Sequence, residues 1–291
     1  MLSAAELKGI YVPVVTPFLS NGELDLVSYR RYVKHLLETD IEGLVVGGTT
    51  GESPTISWEE VEALVLATRE AMGSRRVPIV VGTGTNSTAD TVRRTELAGR
   101  IGADAALVVT PYYSRPSETG ILEHYRRASR TGVPVIAYEI PARTGVRLSA
   151  ETMRTILDLE GVIGLKDSSG SLNLLQELSR ADTKPVLCGE DSLLSDMLRQ
   201  GARGGISASA NVRTADFIEV YRQAAAGNHA TAERTFDRLR PLIEDLFREP
   251  NPAPLKWLLA RQSLLADDAV RLPMSPITPV LQTRLSRYLA G

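Results

Sequence analysis

A single lysine closes the short apolar run Val162–Lys166 in the middle of the chain. An ammonium group is costly to bury unless it has a partner or a chemical use. In a β-strand, side chains alternate between the two faces, so Gly164 would share a face with Lys166 and leave open space beside it. An amine with such space can form an imine with a carbonyl compound. The run alone leaves open whether Lys166 is reactive or is an ordinary lysine at a strand end.

Other side chains able to bind substrates or move protons follow further apolar runs. The backbone amides of a Gly-Thr-Thr-Gly loop can hold a carboxylate, tyrosine hydroxyls can transfer protons, and arginine can grip a carboxylate with two hydrogen bonds. Each residue also has a plainer interpretation, as packing for the tyrosines and as a surface ion pair for the arginine. The residues concerned are Thr49, Thr50, Tyr112, Tyr113, Tyr138 and Arg143.

Apolar runs alternate with helical patterns along most of the chain. The runs are largely continuous in apolar character, as in parallel strands covered on both faces. Helix start signals lie between them, such as the capping box from Ser57 to Glu60. Eight β-then-α units within 291 residues predict a (β/α)8 TIM barrel, with a doubly wound sheet as the alternative. The runs cover residues 9–17, 43–48, 78–84, 105–111, 134–140, 162–166, 185–189 and 204–208.

The eighth unit does not end the chain, because helical patterns continue to residue 289. We therefore predict that residues 1–213 form the barrel, and that residues 214–291 hold its last helix and a C-terminal helical extension. Barrel enzymes carry their active sites at the C-terminal ends of the strands. The candidate residues lie at predicted strand ends or just after them, so we expect them to gather at one end of the barrel. A cluster of threonine, tyrosine, arginine and lysine side chains can bind a keto acid and react with it without a metal ion.

Composition excludes several classes of protein. The net charge of −2 gives no basic surface for nucleic acid. The one cysteine, Cys188, lies in an apolar run, and the three histidines (His35, His124 and His229) lack the spacing of metal ligands. No segment has the ~18 consecutive apolar residues of a membrane span, and the first residues lack the apolar core of a signal peptide. We expect a soluble cytoplasmic protein without a metal site.

Taken together, the motifs resemble the dihydrodipicolinate synthase / N-acetylneuraminate lyase family of pyruvate-dependent aldolases, which are (β/α)8 barrels. The resemblance covers nearly the whole chain, including its C-terminal helical region. It is highly specific for the family and less specific for the substrate. The motifs are Gly48–Ser53, Val109–Pro116, Tyr138–Arg143, Gly164–Lys166, Glu249–Pro252, Lys256–Trp257 and Leu272–Pro276.

The resemblance implies a role for each candidate residue. Lys166 would form an imine with pyruvate, beside the proton-transferring Tyr138 and without a cofactor. Thr50 and Tyr113 would complete a proton relay, with Tyr113 reaching in from a neighbouring subunit of a homotetramer built from tight dimers. The implied substrate-binding positions are Thr49 and Thr50 for the pyruvate carboxylate, Arg143 for a second carboxylate, and Gly189 and Ile206 for main-chain contacts.

The choice of second substrate depends mainly on Arg143. Synthases of the family carry an arginine there, which implies condensation of pyruvate with L-aspartate 4-semialdehyde to 4-hydroxy-tetrahydrodipicolinate, in lysine (diaminopimelate) biosynthesis. Two departures point to an alternative, a Schiff-base aldolase or dehydratase acting on a keto-deoxy sugar acid or hydroxy-keto acid. They are Glu139, where asparagine or aspartate is more usual, and Asp167–Gly170, where many synthases have Glu-Ala-Thr-Gly. A non-catalytic barrel that binds a keto acid is a third hypothesis.

Overall fold

Eight parallel strands close into a barrel in chain order in the computed structural model, which describes residues 1–180 and 182–289. The predicted (β/α)8 fold is confirmed, and each predicted run overlaps one strand. The strands are β1 (Gly9–Pro13), β2 (Gly43–Val46), β3 (Ile79–Gly82), β4 (Ala105–Val109), β5 (Val135–Glu139), β6 (Val162–Asp167), β7 (Val186–Cys188) and β8 (Gly204–Ile206).

Helices separate the strands and continue beyond β8, as the sequence pattern predicted. No helix in the described ranges combines the length and apolar character needed to cross a membrane. The α-helices are α1 (Leu26–Leu37), α2 (Trp58–Met72), α3 (Thr88–Arg100), α4 (Glu118–Ala128), α5 (Pro141–Thr144), α6 (Ala150–Asp158), α7 (Asn173–Leu178), α8 (Leu194–Arg199), α9 (Thr214–Ala225), α10 (His229–Leu246), α11 (Ala253–Arg261) and α12 (Pro279–Leu285).

Local sequence signals set the start of α2. The Glu60 amide donates to Ser57 Oγ at 3.3 Å, and the Ser57 amide donates to Glu60 Oε2 at 2.9 Å, so the predicted capping box is present. Seven of the eight strands are shorter than their predicted runs, and β6 extends one residue past its run, to Asp167. β1 ends at Pro13, which has no N–H to continue a strand ladder. The residues left over after each strand form the loops that carry the candidate site.

Packing divides the chain into two compact units. One comprises Met1–Tyr11 and Pro78–Ser207, and the other comprises Val12–Val77 and Ala208–Gly291. The boundary at residue 213 remains a prediction, and residues 290 and 291 of the predicted extension lie outside the described residues.

In the first unit, β8 approaches β1 so closely that a side chain would not fit. Gly204 has φ 155°, and a Cβ added there would lie 2.0 Å from the Gly9 carbonyl oxygen. Glycine is the residue that tolerates both the conformation and the contact. Every residue of β6 is buried, which places Lys166 in the interior of this unit.

In the second unit, a buried carboxylate ties the last helix to α10. Asp245 accepts hydrogen bonds from Arg248 Nε at 2.9 Å, Arg284 Nε at 3.0 Å and Arg287 Nη2 at 2.7 Å. Burial alone would raise the pKa of Asp245, but these arginine bonds outweigh it and the pKa lies below its ordinary value. The C-terminal segment is thereby fixed to its own unit by charge as well as by packing.

Candidate active site

Lys166 and Tyr138 are partners in the ladder between β5 and β6. They are 7% and 5% exposed, and Lys166 Nζ lies 4.1 Å from the centre of the Tyr138 ring. A cation over an aromatic face is stabilised without being neutralised by a carboxylate. Within residues 1–180 and 182–289, Lys166 forms no salt bridge. The predicted pair is therefore brought together, with its amine unpaired.

The space beside the amine is not where the sequence placed it. A Cβ at Gly164 would lie 2.5 Å from Leu7 Cδ2 and 2.7 Å from the Pro185 carbonyl oxygen, so that expectation is wrong. The N-terminal segment fills the gap, which strand alternation cannot reveal. The glycine that makes room is Gly189, because a Cβ there would lie 2.7 Å from Lys166 Cε.

The ends of β7 and β8 supply the predicted main-chain positions. Gly189 follows β7, and Ile206 is the last residue of β8 and is 1% exposed. The neighbouring Cys188 is fully buried, and its thiol donates to the Glu190 carbonyl oxygen at 3.0 Å. Burial raises the pKa of Cys188 well above its ordinary value. This cysteine is therefore an inert packing residue.

Glu190, which follows Gly189 at the end of β7, is a candidate that the sequence analysis did not name. It is half-buried, and burial raises the pKa of its carboxyl, as does the charge of Asp191. The positive charges of Lys166 and Arg143 act in the opposite direction. Glu190 therefore lies within electrostatic reach of both predicted cations. A carboxylate directly after a strand-end glycine was the signal that could have found it.

Arg143 and Tyr113 are exposed, in contrast to the buried pair. Arg143 lies on the one-turn helix α5, which begins with Pro141 and was not predicted as a helix. Tyr113 is 89% exposed and has φ 70°, in the left-handed region that non-glycine residues seldom adopt. Unusual backbone at an exposed aromatic residue is a reason to look for a functional role there.

Glu139 is buried, and its carboxyl accepts two hydrogen bonds. Thr110 Oγ1 donates to Glu139 Oε2 at 2.9 Å, and the Leu148 amide donates to Glu139 Oε1 at 3.0 Å. Burial raises the pKa of Glu139, and the nearby charge of Asp167 adds to the rise. Because side chains alternate along a strand, Glu139 lies on the face opposite to that of its neighbour Tyr138. Its carboxyl ties the loop after α5 to β4 and β5.

Thr49 and Thr50 belong to the second unit, in a single 3₁₀ turn directly after β2. Thr50 is 4% exposed, and its Oγ1 accepts a hydrogen bond from Asn251 Nδ2 at 3.0 Å. Thr16 Oγ1 donates to the Gly51 carbonyl oxygen at 2.7 Å and holds the turn from the other side. The turn is thus fixed by side chains from distant parts of its unit.

A buried ion pair holds the residue that ends this turn. Glu52 has φ 56° and is 3% exposed. Lys256 Nζ donates to Glu52 Oε1 at 2.7 Å, and the Arg271 amide donates to Glu52 Oε2 at 3.0 Å. The Arg271 guanidinium bonds in turn to both oxygens of Glu60. We call Glu52, Glu60, Lys256 and Arg271 the anchor cluster.

A histidine metal site is not formed by the described residues. His124 is 2% exposed, and its Nδ1 is bonded to Thr88 Oγ1 at 3.0 Å. Burial lowers the pKa of His124 to about 4, so the ring is neutral at physiological pH. No group of three His, Cys, Asp or Glu side chains in residues 1–180 and 182–289 could hold a metal ion.

Comparison with known proteins identifies the family. The model of the dihydrodipicolinate synthetase family matches residues 6–290. A 4-hydroxy-tetrahydrodipicolinate synthase of Thermomicrobium roseum is 42% identical, over 98% of this chain and 94% of its own length. The solved structure of a monomeric dihydrodipicolinate synthase variant is 35% identical with a TM-score of 0.94, covering 98% of this chain and 97% of that one.

A third relative is the dihydrodipicolinate synthase of Acinetobacter baumannii, solved in complex with pyruvate. It is 34% identical with a TM-score of 0.92, covering 97% of this chain and 98% of that one. Since sequence and fold agree over almost the full length, this chain belongs to the dihydrodipicolinate synthetase family.

Proposed function

We propose that this protein condenses pyruvate with L-aspartate 4-semialdehyde to form 4-hydroxy-tetrahydrodipicolinate, a step of lysine biosynthesis. The observation that carries the proposal is the buried, unpaired amine of Lys166 against the Tyr138 ring at 4.1 Å. The names of the relatives support the same activity. The family places its members among the lyases.

The chemistry begins with the Lys166 amine. It attacks the ketone carbon of pyruvate, and the oxygen leaves as water, giving an imine without any cofactor. Loss of a methyl proton converts the imine to an enamine, whose carbon attacks the aldehyde carbon of the second substrate. The amine of that substrate then displaces Lys166 as the ring closes, and the free lysine is restored.

Proton transfer in these steps is assigned to the hydroxyls of Tyr138, Thr50 and Tyr113. Tyr138 lies in the ladder position opposite Lys166, where it can exchange protons with the carbonyl oxygen and the leaving water. Thr49 and Thr50 would hold the pyruvate carboxylate through the turn after β2. Gly189 and Ile206 would contact the bound substrate through their backbone.

Recognition of the second substrate is assigned to Arg143. Its exposed guanidinium can grip a carboxylate with two parallel hydrogen bonds. Glu190, which feels the charges of both Arg143 and Lys166, is suited to an ammonium group such as the one that the semialdehyde carries. A guanidinium and a carboxyl group that both act on the second substrate would match an amino acid better than a sugar acid.

The proposal includes an assembly. The exposed, left-handed Tyr113 is suited to reach a neighbouring subunit, and we propose a homotetramer built as a dimer of dimers in the cytoplasm. One relative is a monomeric variant, so assembly is a property to be measured for each member. The sugar-acid alternative is not favoured, because relatives 34–42% identical to this chain carry the synthase name.

One pair of measurements tests the function. Borohydride added with pyruvate should attach a single reduced pyruvate unit at Lys166, located by peptide mass analysis. A panel of aldehydes with pyruvate held constant should give its highest kcat/KM for L-aspartate 4-semialdehyde. Labelling at Lys166 combined with preference for a sugar aldehyde would support the imine mechanism and contradict the proposed second substrate. Turnover without any label would overturn the imine.

A further inference from the structure

A side-chain amide from the C-terminal region is aimed at the proposed relay. Asn251 lies in the segment before α11, 201 positions from Thr50 in the sequence, and its Nδ2 donates to Thr50 Oγ1 at 3.0 Å. The two residues are 9% and 4% exposed. The bond is therefore shielded from water, where a hydrogen bond is most sensitive to the identity of its donor and acceptor.

The direction of this bond fixes the direction of the threonine proton. A hydroxyl has one proton to donate and two lone pairs that accept. Because Asn251 Nδ2 can only donate, Thr50 Oγ1 is the acceptor, and its own proton is left to donate elsewhere. A relay hydroxyl has to accept a proton on one side and pass its own on, so this orientation is the one that a relay needs.

We propose that Asn251 is a positioning residue that holds the Thr50 hydroxyl as a proton donor to the relay during enamine formation. The inference rests on the proposed function, since it concerns the same relay. Asn251 touches no substrate in this scheme. It acts by occupying one lone pair of the Thr50 oxygen, so that the hydroxyl proton is directed to another acceptor.

A second observation argues against a purely structural role. Asn251 Oδ1 is buried and has no hydrogen-bond partner among the described residues, which is unfavourable for stability. Asn211, another buried asparagine of the same unit, uses both ends of its amide. Its Nδ2 donates to the carbonyl oxygens of Pro13 at 3.0 Å and Ala208 at 2.7 Å, and its Oδ1 accepts from the Tyr32 hydroxyl. Among the described residues, the Asn251 side chain forms a hydrogen bond with Thr50 alone.

The anchor cluster keeps the two partners in register. Lys256, five positions after Asn251, is bonded to Glu52, two positions after Thr50. The Arg271 amide holds the other oxygen of Glu52. Since a buried ion pair joins the two chain segments that carry Asn251 and Thr50, the Asn251 amide has little freedom to leave Thr50.

The decisive variant is Asn251→Asp, which keeps the shape and reverses the hydrogen bond. A carboxylate only accepts, so it draws the Thr50 proton to itself and blocks the relay. We expect kcat to fall roughly 100-fold at pH 8, the scale of a lost proton-transfer group, with the KM for pyruvate nearly unchanged. As pH falls and the new carboxyl protonates, it can donate again. The ratio of variant to wild-type kcat should then rise toward one.

The same effect should appear without the second substrate. Exchange of the pyruvate methyl hydrogens with D2O, followed by NMR, reports enamine formation directly, and Asn251→Asp should slow it by the same factor. Asn211→Asp is the matched control, because it places a carboxylate against two carbonyl oxygens in the same unit. It should lower Tm while leaving its kcat ratio to wild type independent of pH.

Two further variants keep the inference testable if Asn251→Asp folds poorly. Asn251→Ala should lower kcat without a pH-dependent ratio, and it should add little to the loss caused by Thr50→Val, because both act on one hydroxyl. Additive losses would overturn the proposal. Full activity of Asn251→Asp at pH 8 would also overturn it, because it would mean that Thr50 donates to Asn251. Equal losses of kcat for the aspartate and alanine variants, with a ratio to wild type that does not change with pH, would overturn it as well.

These outcomes are separable from those of the proposed function. If wild-type protein fails to trap pyruvate at Lys166, the imine mechanism is wrong. If pyruvate is trapped and the Asn251→Asp ratio does not change with pH, only the role of Asn251 is wrong.

Discussion

Two lysines are buried in the described part of this chain, and one of them is paired with a carboxylate. Lys256 is fully buried, and its ammonium lies 2.7 Å from Glu52 Oε1. Burial lowers the pKa of Lys256, and the charge of Glu52 opposes that change. Lys166 is 7% exposed and faces the Tyr138 ring, with no salt bridge in the described part of the chain. A lysine paired with a carboxylate stabilises the fold, whereas an unpaired lysine amine is available to a substrate.

The same contrast holds for two arginines. Arg271 Nη1 lies 2.7 Å from Glu60 Oε2, and its guanidinium also stacks on the Phe18 ring at 4.1 Å. Arg143 is exposed and forms no salt bridge within residues 1–180 and 182–289. The charged residues that stabilise the fold in these two comparisons are paired with carboxylates, whereas those assigned to the chemistry are not. Variants on the two sides should therefore lose different properties.

Lys166→Met should give the largest effect, complete loss of turnover, because the covalent route disappears. Stability should be unchanged or slightly higher, since an unpaired buried amine is replaced by an apolar side chain of similar size. Steady-state assays and urea unfolding test both halves. A folded variant that retained measurable turnover would break the comparison at its most important point.

Lys256→Met should show the opposite pattern, in which the free energy of unfolding falls and the chemistry at Lys166 is not directly affected. Removing one partner leaves the Glu52 carboxylate buried without its cation, which costs about 3–5 kcal/mol. Urea unfolding midpoints provide the measurement. The matched control is the double variant Lys256→Met with Glu52→Gln, which removes both charges and should recover much of the loss. Equal stability of the single and double variants would show that the charge is not what matters.

Arg143→Ala should lower kcat/KM for L-aspartate 4-semialdehyde by roughly 30- to several-thousand-fold, because a charge-assisted ion pair with the substrate is lost. Borohydride trapping of pyruvate should remain nearly intact. Arg143→Lys should recover only part, since an ammonium cannot offer the planar fork of the guanidinium. Poor wild-type turnover with the semialdehyde, unchanged by either variant, would overturn the assignment of the second substrate.

Tyr113→Phe should lower kcat by about 100-fold with little change in pyruvate binding, because one hydroxyl leaves the relay. If Tyr113 serves a neighbouring subunit, a mixture of Tyr113→Phe and Lys166→Ala subunits should regain some activity after dissociation and reassembly. A mixture no more active than its parents would indicate that each site is built within one chain.

Glu139→Gln should give the smallest effect, a change in the pH dependence of stability. The pKa of Glu139 is raised by burial, so between its unfolded and folded values the folded state binds more protons. Stability contributed by this group is thus lost as pH rises through that window. Glutamine can still accept from Leu148 and can donate to Thr110, so Tm of the variant should fall less than that of wild type as pH is raised from 4 to 8. Parallel Tm curves would contradict this.

The sequence predicted the barrel because continuous apolar runs and capping signals are local. It also identified Lys166 as a candidate site residue, because a lysine that ends an apolar run is locally conspicuous, and Tyr138 as a candidate in the neighbouring run. The space beside Lys166 was assigned to Gly164, and the error arose because Leu7, far away in the sequence, fills that gap. The contact between Asn251 and Thr50 spans 201 positions and has no local signature. Local patterns predict elements, whereas contacts between remote segments decide which positions stay open.

The pairing of Glu52 with Lys256 has a consequence for synthesis on the ribosome. The two residues are 204 positions apart, so the ion pair closes one of the longest loops in the chain. A nascent chain that ends before Lys256 carries Glu52 without its cation, even after all eight strands have been made. The turn that bears Thr50 therefore matures after the strands, once the C-terminal segment has emerged. Catalytic competence should appear late in translation, and chains shortened at the C-terminus should lose it before they lose the barrel.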